Sequence, residues 1–342
     1  MILYPEYTNK NFNIVIANKK EFKDHSYLDY NKNLTSDNES ERRKMFTKYA
    51  NELCNTSFEL APHQYFVHNF LSITSPYNSI LLFHGLGTGK TCSAISIAEN
   101  MRFYNTSANV INKIIIVASP NVQENFKKEL FDINKLVEHG HGHFSSNGCT
   151  GNTYIKEVNP TNVNIKRETL IERINRIIHD NYRFIGYTKF ANEINKIMGE
   201  GSEEEQNENL RNYYDNRLVI IDEAHNIRTI DEQDKNATDA LNKLVTATRS
   251  MRLCLLSGTP MYNDIKEIIW LLNILNLNDN HDEIYTNEIF NAKGEIIAGG
   301  EEKLIDRMRG YISFVRGENP YTFPFKLYPH EFVTDKSFLL DK

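Results

Sequence analysis

The chain has 342 residues, 40% of them hydrophobic, which allows a large core and about two domains. No apolar run reaches the ~20 residues that a membrane helix needs, and no N-terminal stretch has the charged-then-apolar form of a signal peptide. The net charge of −6 neither supports nor excludes a nucleic-acid partner, because the acids cluster while Arg42-Arg43-Lys44 and Lys127-Lys128 are scattered basic pairs and triplets.

Residues 1–57 are polar and rich in Asn and Lys, which predicts a weakly structured arm with one helix near residues 40–54, a candidate partner-docking element. Residues 58–264 alternate strand-like and helix-like runs and predict an α/β lobe with right-handed βαβ crossovers. Leu60-Ala61-Pro62-His63-Gln64 leads into an apolar-periodic stretch through Leu71. The run Ile80-Leu81-Leu82-Phe83 reads as a buried strand, and Gly85-Leu86-Gly87-Thr88-Gly89-Lys90-Thr91 follows it. This is the layout of a phosphate-binding loop. Glycines let backbone N–H groups converge on an anion, Lys90 brings charge to the β/γ-phosphates, and Thr91 offers a hydroxyl to Mg²⁺. His84 stands where the strict pattern has glycine.

Ile114-Ile115-Ile116-Val117-Ala118 is a further strand, followed by Pro120-Asn121, and an insertion is expected around 139–181. Inside it, His139, His141 and His143 with Cys149 lack the spacing of a closed tetrahedral zinc site, so a flexible surface loop is predicted and no structural metal beyond Mg²⁺. Cys54, Cys92, Cys149 and Cys254 show no CxxC spacing, and Cys92 and Cys254 fall inside predicted core elements, which predicts free, buried thiols in a reducing compartment. The acidic run at 199–205 reads as a solvated surface loop. Leu218-Val219-Ile220-Ile221 then makes a strand buried on both faces, ending in Asp222-Glu223-Ala224-His225. Ligands of open α/β sheets bind at the carboxyl edge, so this acidic pair and the phosphate loop fall on one edge. There Asp222 would hold Mg²⁺ through water and Glu223 would polarise the attacking water. Leu253-Cys254-Leu255-Leu256 is another buried strand, ending in Ser257-Gly258-Thr259-Pro260. Ile265, Ile268, Ile269, Leu272 and Leu275 recur at helical spacing and predict a packing face, the start of a helical extension over 265–342.

The order Gln64, phosphate loop, Asp-Glu-Ala-His, Ser-Gly-Thr-Pro resembles the first, RecA-like motor lobe of superfamily 2 helicases. Cys149-Thr150-Gly151-Asn152, Phe184-Ile185-Gly186-Tyr187 and Gly310-Tyr311-Ile312-Ser313-Phe314-Val315-Arg316-Gly317 make it similar to the Swi/Snf-related helicases of large cytoplasmic DNA viruses, of the early transcription factor small-subunit type. The likeness spans roughly residues 58–330. It implies a RecA-like parallel sheet flanked by helices, ATP and Mg²⁺ as cofactors, and ATP contacts from Gln64 (the adenine edge) and from His84, Gly85, Leu86, Gly87, Thr88, Gly89, Lys90 and Thr91. It implies Thr91 and Asp222 at the metal, Lys90, Asp222 and Glu223 in catalysis, and His225, Ser257 and Thr259 in relaying nucleotide state to the track. Pro120-Asn121 resembles the motif whose loop touches the phosphodiester backbone.

Such motors need a second lobe whose arginines complete the ATP site. Its signature, Gln-X-X-Gly-Arg-X-X-Arg, does not occur, and Arg307, Arg309 and Arg316 sit in another context. A second motor lobe or a partner subunit is therefore expected. The resemblance implies a DNA-dependent ATPase or helicase in viral early transcription, with duplex DNA and RNA polymerase machinery as partners, in the cytoplasm (a viral factory or virion). An RNA helicase, a repair or remodelling motor, or a nucleotide-switched non-catalytic subunit are the alternatives.

Overall fold

The structure, a computed structural model, describes residues 4–24, 38–55, 59–85, 87–140, 142–227, 236–261 and 265–315. In chain order its strands are β1 (Ser79–His84), β2 (Ile114–Val117), β3 (Leu136–Glu138), β4 (Phe144–Ser146), β5 (Tyr182–Ile185), β6 (Leu218–Ile221), β7 (Arg252–Leu256) and β8 (Ile312–Val315). Six of them form one parallel sheet in the order β5-β2-β6-β7-β1-β8, and β3 pairs with β4 in a separate antiparallel hairpin.

Side chains alternate across this sheet with the period of two that a pleated strand imposes. Ile80, Leu82, Ile114, Ile116, Leu218, Ile220, Cys254 and Leu256 join the core on one face. Leu81, Ile115, Val117, Val219, Ile221, Leu253 and Leu255 join the core on the other. Burial on both faces is why these strands are unbroken aliphatic runs rather than alternating ones.

Helices cover both faces. α1 (Phe12–Ala17), α2 (Lys20–Lys23) and α3 (Glu39–Asn55) precede α4 (Pro62–Phe70), α5 (Lys90–Ser107) and α6 (Pro120–Leu130). α7 (Thr153–Val158) and α8 (Arg167–Asn181) follow the hairpin; α4, α5, α6 and α8 contribute Val67, Ile97, Phe126 and Ile174 to the first core. α9 (Tyr187–Met198), α10 (Glu203–Tyr214), α11 (Asn236–Ala247) and α12 (Glu267–Asn278) supply Ile194, Leu210, Leu244 and Leu272 to the second. α13 (Thr286–Ile289) and α14 (Gly300–Met308) lead into β8.

Several sequence expectations are corrected. The helix near residues 40–54 forms as α3, but residues 4–24 are not a weakly structured arm: Phe12, Ile16 and Phe22 are buried in the first core. Tyr7 stacks on Tyr311 with centroids 4.5 Å apart, and its hydroxyl donates to Asp279 Oδ2 at 3.1 Å. Gly310, at φ +79°, lets the chain pass under that arm, since a Cβ there would stand 2.7 Å from the Tyr7 ring and 2.8 Å from Phe12. The sheet does not stop at 264 either, because β8 adds a sixth strand beside β1. In the 265–278 stretch Ile268, Ile269, Leu272 and Leu275 pack in the second core as expected, whereas Ile265 precedes the helix and is exposed.

The histidine segment is a hairpin turn rather than a flexible loop: His139 N donates to His143 O at 2.9 Å, and His139 Nε2 lies 2.6 Å from Ser145 Oγ. His141 falls outside the described residues. The second half of the acidic run at 199–205 is not loop but the start of α10, with Ser202 as its cap and Glu203 as its first residue. Ser202 Oγ accepts from Glu205 N, Glu205 Oε2 accepts from Ser202 N, and the three glutamates complement the helix dipole. Finally, Cys92 and Cys149 are not free thiols but joined in a disulfide, while Cys254 is free and buried.

Candidate nucleotide site

Parallel pairing places the carboxyl ends of β1, β6 and β7 side by side, so the loops after them meet on one edge. The loop after β1 opens with Gly85, whose N–H donates to Val315 O at 3.0 Å, so β8 holds the start of the loop. Gly87 and Gly89 sit at φ +79° and +78°, the left-handed region that the turn into α5 requires. A Cβ on Gly89 would lie 2.5 Å from Gln64 Nε2, so only glycine lets the loop lie this close to α4. Thr88 turns its hydroxyl back onto Gly85 O at 2.7 Å. Leu86 lies outside the described residues.

Lys90, the first residue of α5, is 14% exposed and points toward the acidic pair. Its Nζ is 2.9 Å from Glu223 Oε1 and 3.8 Å from Asp222 Oδ1. Asp222 is buried at the end of β6, and its Oδ1 accepts the Glu223 N–H at 2.8 Å. Burial pushes its carboxyl above the ordinary range, opposed by the Lys90 ammonium. Glu223 adopts φ +45°, rare for a residue with a side chain. The structure thus brings Lys90, Asp222 and Glu223 together.

It also links the three residues expected to relay nucleotide state. His225 Nδ1 is 3.4 Å from Glu223 Oε2 and 3.1 Å from Ser257 Oγ, and Ser257 Oγ accepts the Thr259 N–H at 3.1 Å. A chain of polar contacts therefore runs from the acidic pair to the loop after β7. A Cβ on Gly258 would come within 3.9 Å of Lys90 Nζ, so this loop also borders the lysine.

Gln64 and His84 are engaged within the chain. The Gln64 carboxamide accepts from Ala61 N at 2.8 Å and donates to Gly89 O at 3.1 Å. It braces the phosphate loop in this structure. His84 is 1% exposed at the end of β1, with Nε2 2.9 Å from Ser313 Oγ on β8 and Nδ1 buried without a partner. Burial lowers its pKa to about 3, helped by His63 and Lys90 nearby. Its imidazole is a neutral brace between strands, and the loop that follows carries the polar surface.

Three contacts escaped the sequence. His63 Nε2 lies 2.9 Å from Thr88 O, and Tyr187 donates its hydroxyl to Asp222 O at 2.7 Å, steadying the acidic pair from the start of α9. Ser313 is the third. Tyr187 and Ser313 belong to segments that mark the viral resemblance, which is the signal that could have flagged them. Pro120 and Asn121 form the first turn of α6 after Ser119, on the same edge of the sheet. Beyond them Lys128 is exposed, while Lys127 pairs with Glu124 at 2.7 Å and stands over the Phe184 ring. Arg309 is committed elsewhere, to Asp306 and to Tyr7 O at 3.3 Å, and Arg316 lies outside the described residues.

A parallel α/β lobe that sets a glycine-lysine loop against an Asp-Glu pair on one sheet edge is of the P-loop nucleoside triphosphatase class. The SNF2-related domain model matches residues 27–315, and the chain belongs to that family of ATPases and helicases. The chain is 28% identical over 349 residues to a protein named as an ATP-dependent RNA helicase from Acanthamoeba polyphaga mimivirus, covering 94% of this chain and 28% of that protein. It is 28% identical over 260 residues to a protein named as a helicase from Frog virus 3, covering 75% and 24%. It is 25% identical over 260 residues to a termination factor NPH-I homolog of African swine fever virus, covering 74% and 30%. The chain thus spans under a third of the length of each of these relatives. Among solved structures it is similar to the Sulfolobus solfataricus SWI2/SNF2 ATPase core in complex with dsDNA, at 18% identity and TM-score 0.44, over 76% of this chain and 45% of that one.

Proposed function

We propose that this chain is the ATP-binding lobe of a DNA-dependent ATPase that serves viral transcription from the cytoplasm. The observation that carries the reading is the Lys90 ammonium, held 2.9 Å from Glu223 at the mouth of a loop built by left-handed glycines. A lysine so placed faces an incoming phosphate chain, and its present partners are the two acids that phosphoryl transfer would use. The donor set suits the cofactors: oxygen ligands from Thr91 and Asp222 match what Mg²⁺ prefers, and the left-handed Gly87 and Gly89 give the loop the backbone turn that an approaching phosphate needs. Mg²⁺ would be held there by Thr91 and Asp222 and would neutralise charge on the phosphate oxygens. Lys90 would exchange Glu223 for the β/γ-phosphates, and the freed Glu223 carboxylate would orient the attacking water and accept its proton. Gln64, once turned from Gly89 O, would meet the adenine edge. His225, Ser257 and Thr259 would pass the state of the site toward the loop after β7.

Duplex DNA is favoured as track by the family, and the exposed Lys128 in the last turn of α6 is a cation open to a phosphodiester backbone. An RNA track is the second reading, since the mimivirus relative is named as an RNA helicase. A transcription role is supported by the African swine fever virus relative, named as a termination factor homolog. The site lacks an arginine among its described residues, so a second motor lobe or partner subunit would supply one, a contribution of ~10³–10⁵ in rate in related systems. The test is steady-state ATPase of the chain with duplex DNA or single-stranded RNA, alone and with a polypeptide carrying the second lobe. Duplex DNA is expected to stimulate the completed assembly, and the chain alone to run at least ~10³-fold slower. Stimulation by RNA only would move the assignment to the RNA reading. Brisk turnover by the chain alone would remove the need for a second lobe.

A further inference from the structure

Cys92 and Cys149 take no part in the chemistry assigned above, yet they join the nucleotide loop to the segment after the β3–β4 hairpin. Cys92 is the third residue of α5, directly after Lys90 and Thr91, and it packs at the margin of the first core. Its Cβ is 4.0 Å from where a Cβ on Gly89 would stand, so it underlies the last glycine of the loop. Cys149 is buried in a turn pinned from two sides: Thr150 donates its hydroxyl to Leu130 O at 2.8 Å, and Asn152 Oδ1 accepts from Ser146 N at 2.8 Å. The two Cα atoms are 5.3 Å apart, within the span that a disulfide bridges without backbone movement. Glu129 Oε2 lies 3.0 Å from Cys149 Sγ, placed to accept the thiol hydrogen when the bond is reduced. Both redox forms therefore have a home in the fold.

We propose that Cys92 and Cys149 are a reversible dithiol–disulfide pair that sets the rigidity of the first turn of α5 and, through it, nucleotide affinity. The second half of this statement rests on the reading of residues 84–91 as the nucleotide loop. In reducing surroundings disulfides persist mainly as switches rather than staples, and this one touches a functional loop instead of a remote surface. The exchange balances with a small disulfide such as oxidised glutathione. The sulfur of Cys92, the less buried of the two, attacks one glutathione sulfur, breaks its S–S bond and releases one glutathione. The sulfur of Cys149 then displaces the second glutathione. Two thiol protons leave with the two glutathione thiols, and two electrons pass from the cysteine pair to the glutathione disulfide. The oxidised form holds the turn that receives the phosphates, so it binds nucleotide more tightly than the reduced form.

The experiment equilibrates the 342-residue chain in oxidised and reduced glutathione buffers. Peptides are mapped after alkylation, and a fluorescent ATP analogue with Mg²⁺ is titrated into each sample. The expected result is a linked Cys92–Cys149 peptide pair in the oxidised sample, opened by reductant, with Kd rising roughly fivefold on reduction, about the cost of ordering one side chain. Cys92→Ser and Cys149→Ser should each show the reduced-form Kd in both buffers, with the circular dichroism of the reduced chain. Alkylation of both cysteines in the oxidised sample would overturn the pair. So would zinc protecting both thiols with no cross-link forming in the oxidised buffer, which would make Cys92, Glu129 and Cys149 a metal site instead. A cross-link with unchanged Kd would overturn the coupling. Failure to bind the analogue in either state, with the cross-link present, would refute the nucleotide reading and the coupling with it, while leaving the bond established.

Discussion

Replacing Glu223 by Gln separates binding from turnover, and the ion pair at the site fixes the sign of the effect on binding. Lys90 must leave Glu223 before it can reach a phosphate, and the pair is 2.9 Å apart. A hydrogen bond between two charged groups nets about 1.5–3 kcal/mol. Glu223 is 34% exposed, so solvent screening brings this toward about 1 kcal/mol. Glutamine keeps the shape and a weaker hydrogen bond but no charge. The lysine is then released at a cost lower by about 1 kcal/mol, and the Kd for an ATP analogue should fall roughly fivefold. Turnover should drop ~10²–10⁴-fold, because no carboxylate remains to take the proton of the attacking water. Titration with a fluorescent ATP analogue and phosphate-release assays in the complex that restores activity would read the two effects separately. Weaker binding, or turnover within a few-fold of the parent, would refute the role given to Glu223.

Gly310→Ala should destabilise the chain by about 2–3 kcal/mol in urea, since its new methyl meets the Tyr7 and Phe12 rings at a left-handed residue. Gly294→Ala, at φ +82° with only Lys266 Cε nearby at 3.9 Å, should cost about 1 kcal/mol, the backbone term alone. Equal losses would mean that the arm does not press on Gly310. His84 titrates near 3 when folded against an ordinary 6.5, with His63 and Lys90 facing it. The unfolded chain therefore takes up the proton first. The contribution of His84 to stability is full above 6.5 and is lost as pH falls toward 3, by up to about 1 kcal/mol per pH unit. His84→Asn should flatten that acid limb in denaturation curves from pH 7 to 4, and an unchanged slope would show that His84 is not the group responsible.

The sheet and the acidic edge were legible because strands buried on both faces must be aliphatic throughout, and because a phosphate loop needs glycine and lysine at fixed offsets. Ile114 to Val117 and Leu218 to Ile221 could hardly be anything else. What escaped depends on contacts between distant residues. Tyr7 belongs to the core only because Tyr311 and Asp279 receive it, and no local periodicity announces a partner some 300 positions away. β8 carries Ser313 and the exposed Phe314 and is too mixed to read as a strand until β1 is beside it. The Cys92–Cys149 pairing likewise spans 57 residues with no spacing rule to reveal it. The start of α10 was different: Ser202 and Glu205 spell a capping box, and the density of acids around them drew attention to charge instead. At the site, the identities of Lys90, Asp222 and Glu223 were readable, but the left-handed backbone at Glu223 and the engagement of Gln64 with Gly89 O were not, since both arise from how the loops pack.

The central claim is that Lys90 and its loop hold the phosphates of ATP. The most direct measurement is calorimetric titration of the 342-residue chain with Mg²⁺ and a non-hydrolysable ATP analogue, beside Lys90→Ala. The account predicts one saturable site in the parent and none in the variant, with both chains showing the same circular dichroism. Equal affinity in the two would contradict it.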